Sequence, residues 1–365
     1  MKNVLFCLDS FKGTLSTFDI ISISKEVIDN SYKSYFNGVY LPIADGGEGS
    51  LDIISAILEG KTIYVNSIDA EYKKINVPYF ISKDNDVYIE VAKIIGLPYL
   101  TNKIPSLERT TKGIGIVIED ALKHNPRSIN IFLGGSSTNE MGIGLLSYLE
   151  VNFNVKGELT AKNIKDVYSF NIEKLKENIK GIKFNCYCDV TNPLTGIDGA
   201  SYIFGKQKGY NEKEIEFLDK SFIHFSSIIK KELGKDLTNI PSLGASGGLG
   251  GCFYSFFDAS IELGIDKILD LNDFDKYASK ADLIITGEGS FDNQSLNGKA
   301  INGILKRIDR NKLVIICGKS KISDPSYRIY ETSNENMPFE YIKENAKELY
   351  KNTLRKVLDD FILRN

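Results

Sequence analysis

Four carboxylates, Asp9, Asp45, Asp189 and Glu288, each stand at or just past the end of a short apolar run. In an open parallel sheet, ligands gather beyond the carboxyl ends of the strands. Four acids at such ends therefore read as a site for a polar ligand or a cation. Any one of them reads equally well as a helix cap or a turn stabiliser. Glycine placement is the second signal. Gly244-Ala245-Ser246-Gly247-Gly248-Leu249-Gly250-Gly251 carries five glycines in eight residues, and Gly134-Gly135-Ser136-Ser137-Thr138-Asn139 adds hydroxyls and an amide. Without a Cβ, backbone N–H groups can close on an anion. Tight turns and close helix–sheet packing are the plainer reading of each loop.

Lysines near these loops are few: Lys12 one turn before a helix, Lys206 and Lys208 in Phe204–Gly209, and Lys299. Cations, glycine loops and acids able to hold Mg²⁺ together suit phosphoryl transfer, which needs positioning and a carboxylate near the attacking hydroxyl. Familiar nucleotide fingerprints are absent. The chain has neither Gly-x-x-x-x-Gly-Lys-Ser/Thr nor a strict Gly-x-Gly-x-x-Gly. Gly244–Gly248 matches Gly-x-Ser-x-Gly, but both histidines, His124 and His224, precede Ser246, against the order a hydrolase triad needs. Both histidines read as structural.

The elements that must position these groups alternate. Val4–Leu8 predicts a first strand, followed by a helix whose Ser16 and Asp19 form a capping-box variant. Val39–Ile43 predicts a second strand and residues 50–58 a helix. Val65, Val77, Tyr79, Phe80, Val87, Ile89 and Val91 lie in alternating stretches expected to be antiparallel. Ile129–Leu133, Phe184–Cys188, Leu283–Thr286 and Leu313–Cys317 predict buried strands, each ending in glycine or aspartate. The C-terminus predicts a docked amphipathic helix. This alternation signals an α/β fold.

Composition bounds the function classes. The chain has 365 residues, with Lys plus Arg 45 and Asp plus Glu 48, a net charge of −3. That lacks the basic footprint of a general nucleic-acid binder. No apolar run approaches the roughly 18–20 residues of a membrane span. Five sparse cysteines make no disulfide framework, and no Cys-x-x-Cys pair exists. The expectation is a cytoplasmic protein that acts on a small molecule and binds neither nucleic acid nor membrane. The oligomeric state is open, a homodimer included.

Taken in order, the segments resemble the type I glycerate kinase family. The resemblance is carried by Asp9-Ser10-Phe11-Lys12-Gly13-Thr14-Leu15-Ser16, by Leu41–Ser50 and by Leu133–Asn139. Cys188-Asp189-Val190-Thr191-Asn192-Pro193-Leu194, Phe204–Gly209, Gly244–Gly250 and Ile285–Asp292 continue it over most of residues 4–304. It implies ATP-dependent phosphorylation of D-glycerate to 2- or 3-phosphoglycerate, with Mg²⁺. It also implies two α/β domains. One would be Rossmann-like, with a mainly parallel sheet built from both chain ends (1–60 and 275–365). The other would be an inserted mixed α/β domain (61–274).

On that basis Asp189 and Lys12 are expected to be catalytic. Asp9, Ser10, Asp45, Glu48, Asn139 and Asn192 are expected to bind the substrate. Gly134, Gly135, Ser136, Ser246, Gly247, Gly248 and Gly287 are expected around ATP, and Glu288 and Asp292 at the metal. Two departures matter, and one is that the stretch after Gly318 is short against the family. Where the family continues Asn-Asp-Gly-Gly, this chain has Asn139-Glu140-Met141-Gly142, so Glu140 is left out of the expected site. That change favours a second reading, a sugar-acid-binding protein without turnover. An NAD(P)-dependent hydroxy-acid oxidoreductase is the third reading, opposed by the missing dinucleotide fingerprint.

Overall fold

The computed structural model describes residues 1–364 except Gln294, Asn297 and Gly298. Its contacts divide the chain into two compact units, Met1–Asp45 with Ile265–Asn365, and Gly46–Gly264. The strands in chain order are β1 (Lys2–Leu8), β2 (Phe36–Tyr40), β3 (Gly60–Ile68), β4 (Lys74–Ser82), β5 (Asp86–Glu90), β6 (Ser128–Leu133) and the two-residue pieces β7 (Asn152–Phe153) and β8 (Phe170–Asn171). They continue with β9 (Lys183–Cys188), β10 (Ser260–Leu263), β11 (Leu283–Phe291), β12 (Leu313–Ser320) and β13 (Ile329–Glu331).

The first unit is built on a five-stranded sheet of order β13-β12-β11-β1-β2. Every neighbouring pair in it is parallel. Both chain ends contribute, as the Rossmann-like expectation requires. Apolar side chains of β1 and β11, among them Val4, Phe6, Leu283 and Ile285, form a core with two helices. Helix Thr17–Val27 starts on the Ser16–Asp19 capping box, with Ser16 Oγ accepting from Asp19 N at 3.1 Å. Helix Phe339–Arg364 buries Ala346, Tyr350, Leu354, Val357 and Leu358. Those positions recur every three or four residues, so one stripe of a long helix is enough to dock it.

A mixed six-stranded sheet of order β10-β9-β6-β5-β4-β3 organises the second unit. β3, β4 and β5 are antiparallel neighbours, and β5, β6, β9 and β10 are parallel. The fold class is therefore α/β with two units of different sheet type. The unit boundaries fall after Asp45 and after Gly264, where the sequence reading put them after 60 and 274. Helix Ser50–Ile57 explains the first difference. Glu90, at the end of β5, accepts hydrogen bonds from Gly49 N at 3.1 Å and Leu51 N at 2.9 Å. The start of that helix is thereby tied to the second sheet.

Two strands differ from expectation. β2 ends at Tyr40 rather than Ile43, and an extended segment carries the chain on to Asp45. β11 does not stop at Thr286 but runs through Phe291, pairing Gly287 with Ile316, Glu288 with Cys317 and Ser290 with Lys319. Gly287 and Glu288 are thus strand residues and not loop residues. Among the described residues, no helix is long and apolar enough to cross a membrane.

Candidate active site

In the first unit, strand register does the positioning. From β1 the chain continues to β2 on one side, while β11, β12 and β13 extend on the other. The gap between β1 and β11 is therefore the topological switch point, where open α/β sheets bind ligands. Leu8 pairs with Gly287. Asp9 and Glu288 consequently emerge side by side, and Asp9 N donates to Gly287 O at 3.0 Å. A Cβ on Gly287 would lie 1.7 Å from Ile316 O, so strand packing alone accounts for this glycine.

A cavity of about 600 Å³ opens at this point. Asp9, Ser10, Lys12, Asp45, Glu288 and Asp292 line it, together with Lys299. The long C-terminal helix supplies an apolar wall through Ile342, Ala346 and Leu349. Burial and the neighbouring Asp45 carboxylate hold Asp9 well above the ordinary aspartate range, against the pull of Ser10 N and the Lys12 ammonium. Ser10 N donates to Asp9 Oδ1 at 2.6 Å. Burial also raises Glu288. Its Oε1 is buried without a hydrogen-bond partner among the described residues.

Crowded, dehydrated carboxylates of this kind have an unmet demand for positive charge, which a cation can fill. Among the described residues, no group of three or more His, Cys, Asp or Glu side chains converges to hold a metal. Mg²⁺ usually takes one or two carboxylates plus phosphate oxygens. Glu288, with its orphaned oxygen, and Asp292 fit that pattern. Asp292 Oδ2 lies 3.8 Å from Lys321 Nζ.

The remaining expected residues belong to the second unit, where three loops interlock beyond the ends of β6 and β9. Gly134 packs so closely on Gly47 that a Cβ would lie 2.4 Å from Gly47 Cα. Gly247, at φ +68°, leaves room for the Thr138 carbonyl, which would meet a Cβ at 2.2 Å. Met141 N donates to Gly247 O at 3.0 Å. Beside it, Ser246 takes a left-handed φ of 52°, a costly conformation for a serine. The third loop carries Asp189 and Asn192. Ser242 Oγ donates to Val190 O at 2.8 Å, and Gly244 N to Asn192 O at 3.0 Å. Asp189 is half-buried, Asn139 and Ser136 are buried, and Glu48 is exposed.

Several side-chain atoms here are buried and lack a hydrogen-bond partner among the described residues: Thr138 Oγ1, Asn139 Oδ1 and Ser246 Oγ. Orphans cost about 1–3 kcal/mol each unless something meets them. They are concentrated on the two glycine loops that the sequence singled out.

The glycerate kinase family model matches residues 4–361 of this chain. The chain belongs to the glycerate kinase family. A glycerate kinase of Bacillus cereus is 36% identical over 333 residues, covering 89% of this chain and 86% of that protein. A glycerate 2-kinase of Escherichia coli K12 is 32% identical over 311 residues, covering 82% and 80%. Among solved structures, the crystal structure of a candidate glycerate kinase 2 from Salmonella typhimurium LT2 matches with a TM-score of 0.81 and 28% identity. It covers 99% of this chain and 98% of that one.

The structure bears on Glu140, which the sequence reading left out of the expected site. Glu140 is buried, and its Oε1 accepts from Thr111 N at 2.7 Å, from Thr111 Oγ1 and from Gly144 N at 3.2 Å. It binds the backbone at the start of helix Lys112–Leu122. Burial raises its carboxyl to about 8. Through Oε1 Glu140 thus serves the scaffold, while its Oε2 is buried without a hydrogen-bond partner among the described residues.

Two charged residues escaped the sequence reading, Glu90 and Arg109, both buried, while Lys208, named there among the loop lysines, is buried rather than solvated. Glu90 had a usable signal, since it ends an apolar strand as the other four acids do. Arg109 follows a polar stretch, and nothing in its neighbourhood foretells burial.

Proposed function

We propose that the protein is a glycerate kinase that transfers the γ-phosphoryl group of ATP to a hydroxyl of D-glycerate, giving 2- or 3-phosphoglycerate. The observation that carries this reading is the family match from residue 4 to residue 361 in a chain whose switch point opens on Asp9, Asp45 and Glu288. The Escherichia coli relative is named a glycerate 2-kinase, so the 2-hydroxyl is the acceptor to test first. Such an enzyme draws on cytoplasmic ATP.

In this reading Asp189, half-buried beyond β9, orients the accepting hydroxyl and takes its proton. Lys12 and Ser10 stand before helix Thr17–Val27 and attract an anion, the substrate carboxylate or a phosphate, by ammonium charge and helix dipole together. Asp9, Asp45, Glu48, Asn139 and Asn192 hold glycerate hydroxyls. Backbone amides of Gly134, Gly135 and Ser136 and of Ser246, Gly247 and Gly248 hold the nucleotide phosphates. Glu288 and Asp292 would hold Mg²⁺, which supplies charge neutralisation on the phosphate oxygens. Gly287, whose missing Cβ also clears the Ile316 carbonyl, stays among the proposed nucleotide contacts.

The test is a coupled ADP-release assay with D-glycerate, ATP and Mg²⁺. Turnover that disappears with chelator supports the reading. Binding without turnover, or activity only with NAD(P), replaces it with one of the other two classes.

A further inference from the structure

Lys208 and Arg109 are the two most deeply buried cations described, at 3% and 2% exposure. Among the described residues neither forms an ion pair. Lys208 Nζ instead donates to Ser136 Oγ at 3.0 Å and to Thr138 O at 2.7 Å. Arg109 Nη1 donates to Lys208 O at 2.5 Å and to Ser137 O at 3.3 Å, and Nη2 to Asn102 Oδ1 at 3.0 Å. Two cations thus grip three successive residues of one loop, Ser136, Ser137 and Thr138, and Arg109 also holds the Lys208 backbone.

A buried ammonium costs several kcal/mol unless its surroundings repay it. Here no carboxylate repays it, yet a neutral filler would be cheaper if shape were all that mattered. The loop in question also bears the orphaned Thr138 Oγ1 and Asn139 Oδ1. An uncompensated positive pair beneath such a loop favours an anion on it.

We propose that Lys208 is a positioning residue for the nucleotide: it fixes the 136–138 loop through one bond to the Ser136 hydroxyl and one to the Thr138 carbonyl and, with Arg109, supplies the positive potential that draws phosphate to that loop. This rests on the glycerate kinase reading. The charge on Lys208 is conditional. Burial first, and Arg109 second, lower its ammonium to about 7. The other titratable groups nearby act through Arg109, whose field reaches Glu71 and Tyr210, and Glu140 also bears on Tyr210.

The experiment compares the full-length wild type with Lys208→Met and Lys208→Gln, the second variant guarding against a fold lost in the first. The expected result is a KM for ATP raised about tenfold, as when a support behind a binding group is removed. The KM for glycerate should move less than about threefold. Between pH 6 and 8.5, wild type should lose ATP affinity relative to Lys208→Met, with a break near pH 7. Amide hydrogen exchange over residues 134–141 should quicken in both variants. If folded variants keep the wild-type KM for ATP, its pH profile and its exchange rates, the proposal is wrong. If wild type shows no glycerate-dependent turnover, the functional reading fails instead, and the exchange rates still decide whether Lys208 holds the loop.

Discussion

The two units place different polar groups at the rims of their sheets. At the rim of the first sheet, acids are crowded together beside an open cavity, and burial with mutual repulsion raises Asp9 and Glu288. At the rim of the second, one glycine loop is held over a buried Lys208–Arg109 pair, and the same burial lowers a lysine. Parallel strands deliver both sets of groups, so the difference lies in the residues just past each strand end. A carboxylate directly after β1 faces the switch point. A glycine pair after β6 lets a neighbouring loop close in, with Gly134 packed on Gly47. The first unit thus offers carboxylates and lysines around an open cavity, and the second a glycine loop backed by buried cations.

The largest expected effect breaks this division at Asp189, the one expected acid carried by the second unit at a strand end. Asp189→Asn should lower kcat by about 10²–10⁴-fold, the usual span for a lost acid–base group. The ADP-release assay reads it, and near-normal kcat would remove Asp189 from the chemistry. The next test sharpens the picture of crowded acids. Asp9→Asn relieves like-charge repulsion, so stability should rise by about 1 kcal/mol, seen as roughly 2–4 °C in Tm. Activity should fall by about 10². A variant that loses stability and keeps activity would mean the crowding serves the fold.

The smallest effect on activity belongs to Glu140. Glu140→Gln keeps an acceptor for Thr111 and should leave kcat within about threefold. Glu140→Ala strands two backbone donors and should cost about 1–3 kcal/mol by chemical denaturation. The pH dependence comes from the raised carboxyl. The folded chain holds this proton more tightly than the unfolded one, so Glu140 contributes stability at low pH and loses it as pH rises through about 8. The stability of Glu140→Gln relative to wild type should therefore increase between pH 6 and 9. A flat difference would place the carboxyl in the ordinary range.

Much of this was legible in the chain. Asp9, Asp45 and Glu288 could be placed at one rim because each ends an apolar run, and parallel strands align such ends. The Ser16–Asp19 cap and the helical stripe of the C-terminus are local patterns, and local patterns survive folding. The features that could not be read depend on partners distant in sequence. β11 runs on to Phe291 because β12 continues to pair with it. Gly287 looks like a ligand glycine alone until the Ile316 carbonyl is seen against it. Lys208 looks like one more surface lysine until the 136–138 loop closes around it. Glu140 looks like a damaged ligand in the sequence, and its partners turn out to be backbone groups at a helix start.

The central claim is that this acid-rich switch point serves phosphoryl transfer to a three-carbon acid. Phosphorus NMR of the wild-type protein with ATP, Mg²⁺ and D-glycerate tests it most directly. The account predicts a new phosphate-ester resonance, coupled to the C2 or C3 proton of glycerate, that grows as ATP becomes ADP. ATP left intact, or hydrolysed only to free phosphate at the same rate with and without glycerate, would contradict it.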